Sequence, residues 1–184
     1  MWDRTAQSRY VTVRDRLARE GVWQALARFH PVMAGSIPLG LDTEASDVDV
    51  LVEAGNLKAF RQQCTYTWGG RPGFSLAERE WQGSPAVICR FPADSRLCEV
   101  FAQPRPVAEQ QGFRHLIAEW RLLTAGGEAL YHAVRAARMR GLKTEPAFAE
   151  VLRLEGDPYV ALLLERCSDD TLQDIVVRRH ASPR

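Results

Sequence analysis

The segment Ser46-Asp47-Val48-Asp49-Val50-Leu51-Val52 constrains this chain more than any other. Carboxylates alternate with β-branched residues there. Successive side chains of a strand point to opposite faces, so Asp47 and Asp49 fall on one face and Val48 and Val50 on the other. The segment therefore reads as a strand with an acidic edge, its two carboxylates about 7 Å apart.

The flanking pattern builds a fold around it. Apolar residues at helical spacing over about 5–29, including Val13, Leu17, Ala25, Leu26 and Phe29, predict an amphipathic helix ended by His30-Pro31. Residues 31–36 read as a short buried strand running into a Gly35-Ser36 turn, and 37–45 as a loop. A helix is expected over 56–64. Three strands of an antiparallel meander follow over 74–81, 86–91 and 97–102, turning at Gly83-Ser84-Pro85 and Ala93-Asp94-Ser95. From Pro106 the spacing is helical, over 107–124, 128–140, 145–152, 158–166 and 170–177, with Gly126-Gly127, Gly141 and Gly156 as stops. Thr144 is the expected cap of the 145–152 helix. The expected class is α/β (α+β): a mixed sheet flanked by helices over 1–103, with a helical C-terminal part over 104–184 packed on it.

With 184 residues, 46% of them apolar and 26% charged, the chain can bury a real core. A net charge of +1 lacks the basic excess of a protein that grips nucleic acid through its phosphates, so nucleic acid is an unlikely partner on this count. No apolar run approaches the ~20 residues of a bilayer span and the first residues show no leader pattern, so a cytoplasmic location and no membrane association are expected. Cys64, Cys89, Cys98 and Cys167 form no metal-binding spacing and read as buried thiols, with Cys89 and Cys98 placed to face each other across a hairpin.

Gly-Ser, then Asp-Val-Asp on a strand, then Glu99 on a later strand is the pattern that two-metal phosphoryl chemistry needs. Gly35 permits close backbone approach to a phosphate, and the Ser36 hydroxyl and nearby amides donate to its oxygens. Asp47 and Asp49 supply hard oxygen ligands for Mg²⁺ or Mn²⁺, and Glu99 closes the cluster as third ligand or proton acceptor.

The run AGSIPLGLDTEASDVDVLV resembles the signature of the nucleotidyltransferase superfamily. Together with EVFAQPRPVAEQQGFRHLIAEWRLL, GLKTEPAFAEVL and GDPYVALL, it is similar to an uncharacterised bacterial family, a domain of unknown function within that superfamily. The resemblance implies phosphate contact at Gly35 and Ser36, and catalysis and metal ligation at Asp47, Asp49 and Glu99. It implies transfer of a nucleoside monophosphate from a nucleoside triphosphate to a hydroxyl of a small molecule or protein. A catalytically silent nucleotide- or partner-binding domain, such as an antitoxin-like regulator, is the alternative.

One departure favours that alternative: Ile37-Pro38-Leu39-Gly40 follows the Gly-Ser pair and the loop adds Asp42 and Glu44, so it offers a triphosphate no cation. Between residues 105 and 143, seven cations stand against three acids. Arg114 and Lys143 are the expected phosphate contacts, whereas Arg135, Arg138 and Arg140 read as a solvated face. His115 and Glu119, four residues apart, share a helix face and are candidates to orient the acceptor or to act as acid and base. Trp68, Trp81, Trp120 and Tyr159 read as core aromatics that could alternatively stack on a base.

Overall fold

The computed structural model describes residues 2–93 and 95–180. Asp94, in one expected turn, and 181–184, at the end of the expected helical part, lie outside the described residues.

The expected mixed sheet forms. Its strands are β1 (Val32–Ala34), β2 (Val48–Glu53), β3 (Ser75–Trp81), β4 (Ser84–Ala93) and β5 (Arg96–Gln103), in the order β1-β2-β5-β4-β3. Only β2 and β5 run parallel; β3, β4 and β5 make the antiparallel meander. The helices are α1 (Trp2–Arg19), α2 (Val22–Leu26), α3 (Leu57–Trp68), α4 (Gln111–Met139), α5 (Thr144–Leu152), α6 (Pro158–Ala161) and α7 (Asp169–His180).

The alternation in β2 does what its composition requires. Val48 and Val50 are buried in the main core with Phe60, Cys64, Trp68, Phe91 and Val100, under α1, α2 and α3. Trp68 stacks on Phe91 with ring centroids 4.0 Å apart, so it is a core residue. A second core joins α4, α5 and α7 to Trp2, Ala6, Leu39 and Leu41. The start of α1 therefore packs in the helical core while Val13 and Leu17, further along it, pack in the sheet core.

Several boundaries differ from the sequence expectation for local reasons. The 5–29 helix breaks at Gly21, whose φ of +74° only glycine adopts without strain, and α2 resumes at Val22. The expected break at Gly126-Gly127 does occur: α4 is two helical stretches separated at Gly127, whose φ of 57° and ψ of −153° lie outside the helical region. Asn56 caps α3, accepting from the Ala59 amide at 2.9 Å, and that helix extends to Trp68. Lys143, not Thr144, is the cap of α5. The 158–166 helix stops at Ala161, and in the segment that follows Arg121 on α4 donates to the carbonyls of Glu165 (2.7 Å) and Cys167 (2.6 Å).

Cys89 pairs in register with Val100 and Cys98 with Phe91, so these two thiols are not cross-strand partners. All four cysteines are free, Cys167 only partly buried. Among the described residues, no helix is long and apolar enough to cross a membrane.

Candidate active site

Four adjacent strands place one residue each in a row. Ala34 on β1 pairs with Asp49 on β2, so the turn residue Gly35 comes directly over the Asp49 carboxylate. Asp49 pairs with Glu99 across the parallel β2–β5 junction, and Glu99 pairs with Arg90 on β4. Cross-strand partners share a face, which makes Gly35, Asp49, Glu99 and Arg90 neighbours from sequence positions up to 64 residues apart. Asp47 stands exposed one residue before β2 begins.

Gly35 is required in this row. Its φ is +70°, and a Cβ added there would lie 2.1 Å from Asp49 Oδ2, inside any van der Waals limit. Asp49 titrates abnormally: burial first, then the charges of Glu99, Asp47 and Glu145, push its carboxyl up to about 7, with Lys143 opposing. Like charges gathered in a partly buried cleft are what a divalent cation relieves. In this structure Glu99 answers to Arg90, whose Nε and Nη2 both lie 2.6 Å from Glu99 Oε2. Among the described residues, no three His, Cys, Asp or Glu side chains converge as a ready-made metal cage.

The row opens into a cleft of about 650 Å³. Gly35, Ser36, Asp47, Asp49 and Glu99 line one side, and His115, Glu119, Lys143 and Glu145 line the other. Arg79, Arg90, Arg138 and Lys143 are the cations on its walls. The cation-free loop after Ser36 is thus supplemented from β3, β4 and the helices. Of its two acids neither lines the cleft: Glu44 is exposed, and Asp42 is 1% exposed and bound by Arg96 at 3.1 Å.

Arg114 is the one expected site residue that the fold keeps out of the cleft. Its Nε donates to Glu165 at 2.7 Å, which ties α4 to the segment after α6. His115 and Glu119 are both buried on α4. His115 Nε2 donates to the Tyr159 carbonyl at 2.8 Å, and Nδ1 faces Glu145 Oε1 at 3.4 Å. Burial pushes Glu145 up, but the hydrogen bond from His115 and the charges of His115 and Lys143 outweigh it and hold the carboxyl below its usual range. Glu119 goes the other way: burial, then Glu145, raises it well above its usual range, Arg138 pulling down, and its Oε1 has no hydrogen-bond partner. The two carboxyls are thus shifted in opposite directions, because Glu145 accepts a hydrogen bond from His115 and Glu119 is fully buried with one oxygen unpartnered.

Three cleft residues, Glu145, Arg138 and Gln111, escape a reading of the sequence. Glu145 looks like a first-turn helix acid and Arg138 like one of a solvated trio. Both acquire their roles from partners on other elements. Trp81, 45% exposed, lines the cleft with Tyr159, and Gln111 bridges them: its Oε1 accepts from Trp81 Nε1 at 3.2 Å and its Nε2 donates to the Tyr159 carbonyl at 3.3 Å. Glu145 sits two residues beyond Lys143, so that proximity was the available signal.

Solved structures share this architecture. A cytoplasmic RNA terminal U-transferase superposes with a TM-score of 0.51 at 15% identity, covering 85% of this chain and 47% of that one. The Cid1 poly(U) polymerase, a mutant bound to MgATP, gives 0.50 at 14% identity, covering 82% and 47%. The GLD-2/RNP-8 complex gives 0.53 at 14% identity, covering 99% and 68%. The chain spans about half the length of the first two, and identities this low establish the fold alone. They nevertheless correct one expectation. Proteins named for action on RNA share this fold, so a net charge near zero does not make nucleic acid an unlikely partner. No curated protein sequence matches the chain significantly. Residues 15–164 match the family model described as a domain of unknown function, DUF4269. The chain belongs to that family, and its fold is that of the nucleotidyltransferase superfamily.

Proposed function

We propose that this protein moves a nucleoside monophosphate from a nucleoside triphosphate to a hydroxyl acceptor. The observation that carries the reading is the placement of Asp49 beside Glu99 on parallel strands, with the Asp49 carboxylate seated against Gly35. A glycine that must remain bare, next to a carboxylate that resists ionisation, fits a site shaped for a metal–phosphate ligand better than it fits a structural need.

Asp47, Asp49 and Glu99 would hold Mg²⁺ or Mn²⁺, hard cations suited to carboxylate oxygens. Bound there, such ions neutralise triphosphate charge and acidify the attacking hydroxyl. The Gly35 backbone and Ser36 contact phosphate oxygens, and Lys143 supplies positive charge from the opposite wall. Arg90, which pairs with Glu99 in this structure, would supply positive charge to a phosphate if Glu99 turned to a metal ligand. His115, with its partner Glu145, and the buried Glu119 lie on the far side of the cleft and would orient an acceptor hydroxyl there. Trp81 and Tyr159 offer aromatic faces to a base.

The RNA-directed names of the structural relatives make an RNA end the first acceptor to test. The assay is transfer of label from each α-³²P nucleoside triphosphate, with Mg²⁺ or Mn²⁺, to an oligoribonucleotide or to any component of a cell extract. Transfer that Asp47→Asn and Asp49→Asn abolish is the expected result. Absence of metal-dependent triphosphate binding would refute the reading. A second reading, nucleotide binding without transfer, is favoured by the Arg90–Glu99 pair, which occupies the third carboxylate. Binding without transfer to any acceptor would support it.

A further inference from the structure

Arg138 ties the loop before Asp47 to the turn before Lys143. From the last turn of α4, its Nε donates to the Leu41 carbonyl at 3.3 Å and its Nη2 to Ser46 Oγ at 3.1 Å. Its Nη1 donates to the Leu142 carbonyl at 2.6 Å. Leu41 and Ser46 bracket the loop that ends in Asp47, and Leu142 directly precedes Lys143 in the turn that leads to Glu145.

Ser46 is the hub on the sheet side. Its Oγ also accepts from the Thr43 amide at 2.9 Å and lies 3.5 Å from Ser36 Oγ, while Arg96 donates to the Thr43 and Ser46 carbonyls at 3.2 and 3.0 Å. Arg96 belongs to the sheet, so it anchors the loop to its own half only. Tyr131 and Arg135, also on α4, reach the Gly40 carbonyl but make no bond to the 142–145 turn. A planar guanidinium with donors fixed in a fork transmits orientation between its acceptors in a way that one ammonium cannot.

We propose that Arg138 is a positioning residue that couples the two walls. It holds the loop presenting Ser36 and Asp47 in a fixed relation to the turn presenting Lys143 and Glu145, so that a ligand engaging one wall orders the other. The functional part of this inference rests on the nucleotide reading above. The clamp itself does not.

Amide hydrogen exchange on the full chain, without ligand and with MgATP, tests both. In the ligand-free Arg138→Met protein, segments 41–47 and 142–145 should exchange about ten-fold faster than in the parent, with β2 and β5 amides unchanged. In the parent, MgATP should protect both segments. In Arg138→Met it should protect 41–47 alone, with affinity reduced about ten-fold. Ser46→Ala keeps the arginine and removes one acceptor; it should weaken the coupling in the same sense and guard against a folding defect in the first variant. Arg138→Lys should not restore the joint protection.

Equal protection of both segments by MgATP in Arg138→Met would overturn the coupling. So would acceleration spread evenly over the whole chain, which marks a general loss of stability. A parent that shows no MgATP protection refutes the nucleotide reading, and the ligand-free comparison still decides the clamp: unchanged exchange in 41–47 and 142–145 overturns it.

Discussion

Replacing Asp49 by asparagine keeps the shape of the side chain and removes one negative charge from the row beside Gly35. In the folded chain the Asp49 carboxyl is pushed from 3.8 up to about 7, by burial first and then by Glu99, Asp47 and Glu145, with Lys143 opposing. The folded protein therefore holds this proton more tightly than the unfolded chain does. Linkage then requires full stability below about pH 4 and a progressive loss as pH rises towards 7. At roughly 1.4 kcal/mol per pH unit, that interval corresponds to about 4 kcal/mol. Partial exposure of the side chain and relaxation of its neighbours reduce this to about 2 kcal/mol. Asp49→Asn should match the parent at pH 4 and exceed it by about 2 kcal/mol at pH 8, or about 4–8 °C in Tm for a chain of this size. Mg²⁺ or Mn²⁺ should narrow the gap at pH 8 by stabilising the parent and not the variant. Thermal melts across this pH range, with and without metal, beside a nucleotide-binding assay, measure every quantity. A variant less stable than the parent at pH 8 by ~1–3 kcal/mol, yet still binding nucleotide with Mg²⁺, would show that Asp49 makes a structural hydrogen bond, and the metal assignment would fall.

Gly35→Ala places a methyl where Asp49 Oδ2 stands and forces a left-handed residue; melts should show a loss of about 1–3 kcal/mol, and metal-dependent nucleotide binding should disappear with it. Lys143 is exposed and caps α5 without a side-chain hydrogen bond, so Lys143→Met should leave Tm unchanged while calorimetry reads triphosphate affinity about ten-fold weaker. A falling Tm with unchanged affinity would assign Lys143 to the fold. Because burial raises the Glu119 carboxyl well above 4.5, its contribution to stability is full at acid pH and declines as pH rises. Glu119→Gln should flatten that decline, and parallel curves for parent and variant would refute the upward shift of the buried carboxyl.

Local chemistry legible in the sequence accounts for much of the sheet. β-branched residues interleaved with Asp47 and Asp49, glycines at turns and the meander spacing depend on neighbours within a few positions, and the strands lie within a few residues of where those signals put them. Gly35-Ser36, Asp49 and Glu99 were candidates on residue type alone, because phosphate approach needs a bare backbone and hard cations need carboxylates. The helical half was less legible. Gly21 breaks a helix whose apolar spacing continues through it, whereas the break at Gly127 falls on the glycine pair that marks it in the sequence. Which charges face the cleft was settled by tertiary structure. Arg114 and Arg138 are alike in sequence context, yet the segment after α6 captures the first through Glu165 while the second meets carbonyls and a hydroxyl from two other elements. Asp42, in sequence an acid of the loop that would meet a triphosphate, is instead buried and held by Arg96, 54 positions away. A side chain's chemistry is local, but its partners are chosen by the register of strands and the crossing of helices, and a single chain's residue order does not state those distances.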